Sequence, residues 1–303
     1  MKILLVNVDS TIPNLALEKL RVYYEQQGDK VYQIQDESLL PFIDAYDKIY
    51  VSCVFDYNKH RCRKWKGIAE IGGSGYILKK HLPVNIEKIK PKINLGFATR
   101  GCIRNCYFCI VPKKEGKIHV VSDIYDLWDG QTRDILLLDN NILAAPEHFF
   151  KIAGQLKKEK LRVDFNQGLD HRLLTDKICR ELFSLSYCGA GKIRFAFDHI
   201  SYRKSVKRAL KIMRRNGLKD WQTRWYIYVG VEDDVENVLE RINILRDVKQ
   251  LVFVMKDVKV RNNPELARIC VWSCHVWAYA TVPYLEYTEN KQQFTKDNRP
   301  NLF

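Results

Sequence analysis

The sequence contains no apolar run long enough to cross a membrane, although 46% of its 303 residues are hydrophobic. It also lacks a signal-peptide pattern, because Met1–Asp9 is a short apolar run that ends in an acid and is typical of a first strand. Nine cysteines without an export signal indicate a reducing compartment. We therefore expect a cytoplasmic protein that has no membrane partner.

Phosphate-binding glycine motifs are missing as well. The segment Ile71–Tyr76 contains a Gly-Gly pair, but it has neither the G-x-G-x-x-G spacing nor a lysine in Walker register. Positive charge, in contrast, is abundant, with a formal net charge of +14. Residues 1–90 hold 14 basic and 11 acidic side chains, whereas residues 91–303 hold 36 and 25. This excess favours anionic partners such as nucleic acid or phosphorylated metabolites.

Three cysteines lie close together in the stretch Arg100–Cys109, at the spacing C-x3-C-x2-C. Three thiolates can hold three irons of a [4Fe–4S] cube and leave the fourth iron open for chemistry. Two other interpretations are open. A zinc site needs a fourth cysteine or histidine at close spacing, and the nearest is His119, ten residues further on. A disulfide framework is typical of small secreted chains.

The motif, with the aromatic Phe108 before its last cysteine, resembles the cluster loop of the radical S-adenosylmethionine (radical SAM) superfamily. The resemblance implies that Cys102, Cys106 and Cys109 ligate the cluster, and that the open iron binds the amino and carboxylate groups of S-adenosylmethionine. In that family, one electron cleaves this cofactor to methionine and a 5′-deoxyadenosyl radical, which abstracts a hydrogen from the substrate. An electron donor such as flavodoxin or ferredoxin is then a required partner.

Strands alternate with helices along the chain, which predicts an α/β fold with parallel sheets. Residues 1–90 are predicted to form a Rossmann-like parallel-sheet domain. Residues 91–285 contain six strand–helix units, one of them with a helix over Thr175–Tyr187, and resemble the partial (β/α)6, TIM-type barrel of radical SAM enzymes. Residues 286–303 are polar and are predicted to form a C-terminal tail.

Polar residues follow the predicted barrel strands, and the carboxyl ends of such strands are where these barrels place their chemistry. The resemblance implies contacts there with the methionine amino group, the ribose and the adenine of S-adenosylmethionine. The six candidate residues are Asp139, Asn140, Asn166, Gln167, Asp198 and Gly230. Each has a second interpretation as a loop residue that caps the next helix. Asp170–Arg172 is open between an acid/base pair and a polar turn, and the turn is favoured.

A Rossmann-like module with a Gly-Gly turn shortly before the cluster motif resembles the N-terminal half of the B12-binding group of radical SAM enzymes. In that group, the turn lies where the cobalamin tail enters. The chain has no D-x-H-x-x-G motif and no histidine before His60, which excludes cobalt ligation by a histidine of the first loop. The sequence therefore disfavours cobalamin without excluding it. A cobalamin-dependent radical SAM methyltransferase is kept as an alternative function.

The distribution of positive charge is the only sequence feature that indicates the class of substrate. The predicted helix Tyr202–Asn216 carries seven basic side chains opposite an apolar stripe, and Lys59–Lys66 is a second basic run that contains a tryptophan. Both fit nucleic-acid binding, although a solvated helix face is the default for each. We expect an anionic substrate, with nucleic acid as the leading candidate. The alternative from another class is a nucleic-acid or partner-binding module whose cluster is structural.

Methylthiotransferases of this superfamily carry three further N-terminal cluster cysteines and a C-terminal RNA-binding module. Neither feature is visible in the sequence, which argues against that activity. The six cysteines outside the motif form no compact second cluster motif.

Overall fold

The computed structural model describes residues 1–36, 43–189 and 192–287. Within these ranges the chain is a mixed α/β protein whose main sheets are parallel, which confirms the predicted class. The predicted tail falls mostly on residues 288–303, which lie outside the described ranges. None of the helices in the described ranges is long and apolar enough to span a lipid bilayer.

The N-terminal half is built on one four-stranded parallel sheet. Its elements are β1 (Lys2–Asn7), α1 (Leu15–Gln26), β2 (Lys30–Gln35), β3 (Lys48–Ser52), β4 (Glu70–Gly72) and α2 (Val84–Glu87). The strands are ordered β2-β1-β3-β4, and Ile3 of β1 lies between Val31 of β2 and Lys48 of β3. Parallel neighbours need a crossover connection, which α1 supplies between β1 and β2.

Strand β1 is buried on both faces, as its continuous apolar run predicts. Leu4 and Val6 pack into one core cluster, whereas Ile3 and Leu5 pack with α1 into the other. Successive side chains of a strand point to opposite faces, so one strand serves both clusters. Helix α1 begins at Asn14, whose side chain accepts a hydrogen bond from a backbone N–H of the first turn.

The basic run Lys59–Lys66 lies largely within a 3-10 helix, Asp56–Trp65. Trp65 is fully buried, and its indole N–H donates to the carboxylate of Asp36 at 3.0 Å. Lys64 forms an ion pair with the same carboxylate at 2.9 Å. The run therefore helps to build the N-terminal core, and its buried tryptophan cannot stack on a base.

The second half contains the cysteine motif and the longer helices. Its elements are β5 (Leu95–Gly96), β6 (Thr99–Arg100), α3 (Val111–Lys114), β7 (His119–Val120), α4 (Ile124–Leu127), β8 (Asp134–Leu137), α5 (Pro146–Lys158), β9 (Arg162–Phe165), α6 (Asp176–Ser184), β10 (Ser186–Tyr187), β11 (Ile193–Ala196), α7 (Arg203–Arg215), β12 (Thr223–Val229), α8 (Val235–Arg246), β13 (Leu251–Lys256), α9 (Pro264–Cys274) and α10 (Val276–Thr281).

Two parallel sheets, ordered β10-β9-β8-β5 and β11-β12-β13, form the frame of this half. A parallel bridge between Leu169 and Phe195 joins the segment after β9 to β11. Because neighbouring strands are parallel, the carboxyl ends within each sheet lie along one edge. The strands β6 and β7 form a separate antiparallel pair beside the sheets. The Rossmann-like and partial-barrel arrangements stay predictions.

The helix predicted over Thr175–Tyr187 is shorter than expected, and this part of the prediction is wrong. Helix α6 ends at Ser184, and β10 follows it and pairs with β9. The hydroxyl of Tyr187 donates to the carbonyl of Leu182 at 2.8 Å, which holds the end of α6 beside β10. Pairing with β9 satisfies backbone groups that a further helical turn would have used.

A buried arginine connects α8 to the end of β12. Arg241 is fully buried, pairs with Asp233 at 2.6 Å and donates to the backbone carbonyl of Tyr228 at 2.9 Å. Removing one partner of such a pair leaves the other charge buried and uncompensated. The pair therefore matters for stability mainly because the loss of Arg241 would leave the charge of Asp233 buried and unpaired.

Arg241→Met is expected to lower the free energy of unfolding of the apo protein by about 3–5 kcal/mol, because Asp233 would lose its buried partner. Urea unfolding followed by tryptophan fluorescence measures the change. Arg203→Met is the matched control, because Arg203 pairs with Glu240 at 3.0 Å on the surface. Its loss should cost about 1 kcal/mol or less, and equal losses for the two variants would contradict the assigned role.

Candidate metal centre

The three motif cysteines lie on a loop that a short hairpin closes. Strands β6 and β7 pair at its two ends. Gly101 has a φ of +82°, and a Cβ at this position would lie 2.2 Å from the carbonyl oxygen of Lys117. Only glycine fits such a conformation at so close a backbone crossing. The backbone N–H of Cys102 donates to the carbonyl of Gly116 at 3.1 Å, which fixes the first cysteine to the hairpin.

All three thiols are free and partly buried, and two of them accept N–H hydrogen bonds. The sulfur of Cys102 accepts from the backbone N–H of Arg104 at 3.3 Å and from the side-chain amide of Asn141 at 3.4 Å. The sulfur of Cys109 accepts from the backbone N–H of Val111 at 3.5 Å. Hydrogen bonds to cysteine sulfur stabilise thiolates and tune the potentials of iron–sulfur clusters. The loop therefore has the donor set that such a cluster uses.

Two thiols of the loop, those of Cys106 and Cys109, have a pKa above the ordinary cysteine value. Burial raises the pKa of Cys106, and the charge of Cys109 raises it further. Burial likewise raises the pKa of Cys109, and the hydrogen bond from Val111 only partly offsets this effect. Iron would therefore displace protons as it binds, because ligating thiols are deprotonated.

The described residues contain no ready site for a single metal ion. Within residues 1–36, 43–189 and 192–287, no group of three Cys, His, Asp or Glu side chains is placed to hold one ion. In a [4Fe–4S] cube each thiolate binds a different iron, so the three sulfurs need not converge on one point. Cluster ligation by the three thiols of the loop stays a prediction.

The residues after β8 accept hydrogen bonds from the segment that leads into the cysteine loop. The carboxylate of Asp139 accepts from the backbone N–H groups of Ala98 and Thr99, at 3.0 and 2.6 Å, and from the Thr99 hydroxyl at 2.6 Å. Burial raises the pKa of Asp139, whereas these donated bonds favour its ionised form. Asn140 accepts from the backbone N–H of Gly101 at 3.0 Å. Both of these sequence-predicted site residues therefore position the loop.

Asn141, the next residue, is a site residue that the sequence analysis missed. Its side chain is only 4% exposed, and its amide also donates to Asp170 at 3.5 Å. Its carbonyl oxygen Oδ1 is buried and has no hydrogen-bond partner among the described residues. A buried acceptor without a partner is uncommon in folded proteins and calls for an explanation. The polar run Asp139–Asn141 was the sequence signal that could have revealed Asn141, because all three residues form hydrogen bonds with the loop or with the segment that leads into it.

Asp170 clamps the cysteine loop from the segment after β9. Its carboxylate accepts from Arg104 Nε at 2.7 Å and from Arg172 Nε at 2.6 Å. Burial acts to raise the pKa of Asp170, but the hydrogen bonds and charges of the two arginines outweigh it and hold that pKa below its ordinary value. The predicted polar turn is present, since Asp170 caps the 3-10 helix His171–Leu173. The clamp on the loop is the part that the sequence did not reveal.

Asp198 follows β11 and is partly buried near the sulfurs. Its carboxylate accepts from the backbone N–H of Tyr228 at 3.2 Å. Burial raises the pKa of Asp198 to about 6, and the hydrogen bond from Tyr228 only partly offsets this effect. Its charge is among the causes that raise the pKa of Cys106 and of Cys109. The predicted ribose-binding carboxylate therefore lies close to the cysteine loop.

Aromatic side chains of the loop pack against the end of β12. Phe108 stacks on Tyr228 with ring centroids 4.1 Å apart, and Tyr107 meets the same ring edge-on at 6.2 Å. Gly230, the predicted adenine contact, is buried here, and a Cβ would lie 2.8 Å from the hydroxyl oxygen of Tyr107. The missing side chain at Gly230 thus makes room for the tyrosine of the loop.

Asn166 and Gln167 form a separate group after β9. The Gln167 amide lies 3.4 Å from the side-chain oxygen of Asn166, whose backbone carbonyl accepts from the Tyr226 hydroxyl at 3.1 Å. Neither side chain hydrogen-bonds the cysteine loop in the part of the chain that the structure describes. The structure therefore brings Asp139, Asn140, Asp198 and Gly230 to the loop and leaves these two apart. The cofactor contacts of all six residues stay predictions.

The cysteine loop and the sequence relatives together support the assignment of the chain to the radical SAM superfamily. Three relatives are named tRNA-2-methylthio-N(6)-dimethylallyladenosine synthase and are therefore enzymes. They come from Flavobacterium psychrophilum (22% identical over 167 residues), Flavobacterium johnsoniae (23% over 169) and Aquifex aeolicus (24% over 189). The matches cover 53%, 53% and 54% of this chain but 32%, 32% and 41% of the relatives. The chain thus spans only about a third of their length.

No protein-family model matches the chain. Among solved structures, a cysteine-to-alanine mutant of spore photoproduct lyase with dinucleoside spore photoproduct is 13% identical. The match covers 89% of this chain and 70% of that one, with a TM-score of 0.30. So low a score supports no argument about the fold.

The clamp at Asp170 predicts how firmly the loop retains iron. Arg104→Gln is expected to speed iron release from the reconstituted protein to a chelator roughly tenfold, because a charge-assisted hydrogen bond of about 1.5–3 kcal/mol is lost. Anaerobic absorbance of the iron–chelator complex gives the rate. Lys113→Gln removes the same charge from an exposed position near the same loop and is the control. Indistinguishable rates for the two variants would rule out the clamp.

The raised pKa of Asp198 predicts a pH-dependent stability. The pKa of Asp198 in the folded state, about 6, exceeds its ordinary value of 3.8, so the folded state binds a proton more tightly than the unfolded state. The stability that this proton contributes is fully present below about pH 4 and is lost as the pH rises through 6. Asp198→Asn keeps the acceptor for Tyr228 and should be more stable than the wild type by up to roughly 3 kcal/mol at pH 8, with little difference at pH 4. Urea unfolding of the apo protein measures both. Asp220→Asn, at an exposed acid, is the control, and a pH-independent difference would refute the shift.

Proposed function

We propose that the chain is a radical SAM enzyme that modifies a substrate related to nucleic acid. Cys102, Cys106 and Cys109 are the proposed cluster ligands. Bound there, a reduced [4Fe–4S] cluster supplies the electron that cleaves S-adenosylmethionine to methionine and a 5′-deoxyadenosyl radical. An external donor, flavodoxin or ferredoxin, is proposed to deliver that electron.

The observation that carries the proposal is the set of groups around Cys102. Three free thiols share one loop, N–H groups donate to the sulfurs of Cys102 and Cys109, and Asn141 holds a buried acceptor without a partner beside them. An amino acid bound at an open iron through its amino and carboxylate groups keeps N–H donors on the ligating nitrogen, and a donor is what this oxygen lacks. The cofactor that the motif implies would supply that donor.

The residues of the proposed cofactor contacts come directly after strand ends. We propose different roles for them, because their hydrogen bonds differ. The carboxylate of Asp198 can accept hydrogen bonds from both ribose hydroxyls. Asp139 acts through the loop, because its oxygens are engaged by Ala98 and Thr99. Asn140, Asn166, Gln167 and Gly230 complete the proposed set.

The substrate class is proposed from charge and from the relatives. The chain has a net charge of +14, and the relatives are named as synthases that act on tRNA. Because the chain spans about a third of those enzymes, methylthio transfer itself is not proposed. The proposal includes a Rossmann-like domain over residues 1–90 and a partial barrel over residues 91–285.

Cobalamin is not part of the proposal, because a different contact accounts for the Gly-Gly turn. A Cβ at Gly73 would lie 2.2 Å from the carbonyl oxygen of Cys53, and the φ of Gly73 is +94°. Close packing of the turn on the strand end after β3 therefore requires a glycine without any cofactor. Methyl transfer from cobalamin has no observation of its own in its favour.

Anaerobic reconstitution tests the proposal directly. The wild type should hold about four irons per chain, and after reduction with dithionite it should convert S-adenosylmethionine to 5′-deoxyadenosine. Cys102→Ala, Cys106→Ala and Cys109→Ala should each abolish this conversion, whereas Cys274→Ala, at an exposed cysteine outside the motif, should keep it. Chromatography with mass detection measures the product. An intact cluster without any cleavage would favour the binding module with a structural cluster.

A further inference from the structure

Helix α7 presents a row of cations that the proposed chemistry does not use. We call Lys204, Lys207, Lys211 and Arg214 the α7 stripe; all four side chains are exposed. Since successive helical residues are about 100° apart, the four positions fall within an arc of about 80° and a length of about 15 Å. The buried residues of the same helix, Val206, Ala209, Leu210 and Met213, lie on the opposite side. The stripe is therefore one straight outward-facing row.

The stripe differs from the other basic residues of α7 because its members have no ion-pair partner among the described residues. Arg203 pairs with Glu240, and Arg215 pairs with Asp176. Arg208 donates to the backbone carbonyl of Arg172 at 3.1 Å. Acidic neighbours thus neutralise Arg203 and Arg215, whereas no ion pair within the described residues neutralises the stripe between them. An uncompensated row creates a local positive potential that attracts anions.

The first turn of α7 is anchored next to the cysteine loop. The hydroxyl of Ser205 lies 2.9 Å from Nε2 of His171, whose Nδ1 lies 2.8 Å from the carbonyl oxygen of Ala196. Burial lowers the pKa of His171 to about 4, so this ring is neutral and serves as a fixed support. His171 follows Asp170, which clamps the loop. Lys204, the first residue of the stripe, is therefore adjacent in sequence to Ser205, which is linked through His171 to the segment that clamps the loop.

We propose that the α7 stripe binds the phosphate backbone of RNA, with its Lys204 end towards the segment that clamps the cysteine loop. A row of about 15 Å is long enough for its four cations to contact successive phosphates of one strand. Lysine suits this task as a point charge that requires no fixed geometry. The inference rests on the proposed function, since it identifies the surface that would hold a nucleic-acid substrate.

An acidic protein is the competing occupant, and the composition of the stripe argues against it. Three of the four residues are lysines, which are depleted at protein–protein interfaces, and no apolar or aromatic side chain is exposed between them. A protein interface normally adds such an anchor at its centre. A straight row of mobile cations instead matches a linear polyanion.

The test uses the full-length reconstituted protein and fluorescein-labelled bulk tRNA as the probe. The stripe variant combines Lys204→Gln, Lys207→Gln, Lys211→Gln and Arg214→Gln. The control combines four exposed lysines without ion pairs in the described residues, Lys2→Gln, Lys30→Gln, Lys79→Gln and Lys160→Gln, and so has the same net charge. Fluorescence anisotropy over a salt series gives the slope of log affinity against log salt. Cleavage of S-adenosylmethionine without substrate is measured in parallel.

The stripe variant should lose about three from that slope, at roughly 0.7–0.9 per phosphate contact, and should bind at least tenfold more weakly at 100 mM salt. The control should change affinity by less than about twofold, and both variants should cleave S-adenosylmethionine as the wild type does. Equal losses in the two variants, or no tRNA binding by a wild type that cleaves the cofactor, would overturn the inference. Normal tRNA binding with lost reduction by flavodoxin would assign the stripe to an acidic protein. Stripe-dependent binding without cleavage would uphold the inference and refute the proposed function.

Discussion

The cysteine loop follows β6, a strand of two residues, and a hairpin this short is marginally stable by itself. Hydrogen-bond acceptors from other strand ends supply what the hairpin lacks. Asp139 and Asn140, after β8, accept from backbone N–H groups of residues 98–101, and Asp170, after β9, accepts from Arg104. A cluster held by three thiolates has no fourth ligand to stiffen it, so its frame must come from such supporting contacts. The parallel sheet supplies that frame because it brings these strand ends to one edge.

Charge balance at this edge follows from the same contacts. Asp170 is neutralised by Arg104 and Arg172, so the clamp adds little net field to the site. Asp198 has no ion pair of this kind among the described residues, and burial raises its pKa. The charges of Arg241 and Arg172 offset this effect only in part, so the site favours a ligand with a cation or hydroxyl donors over another anion. The sulfonium and ribose groups of S-adenosylmethionine, the proposed cofactor, meet this condition.

Local patterns in the sequence were enough for the class of fold and for the cysteine loop. Continuous apolar runs marked the buried strands, and the three cysteines are close enough in sequence to be recognised as a set. The supporting contacts could not be predicted, because they join residues far apart. Arg104 and Asp170 are separated by 66 positions, and Gly101 and Asn140 by 39. An aspartate that caps a turn and one that also clamps a loop have the same local sequence, so only the tertiary contact distinguishes them.

The two basic runs show why a count of charges has so little predictive power. Near Trp65, Arg61 and Lys64 pair with Asp36, and the buried tryptophan packs into the N-terminal core, so that run contributes to the folded structure. The α7 stripe has a similar density of positive charge, but the opposite face of the helix makes its apolar contacts, and no acid within the described residues pairs with the stripe. A buried carboxylate within reach converts a basic run into structure, whereas its absence leaves the charge free for a partner. Ion pairing in three dimensions, rather than composition, thus distinguishes the structural basic run around Trp65 from the unpaired stripe of α7, the proposed binding surface.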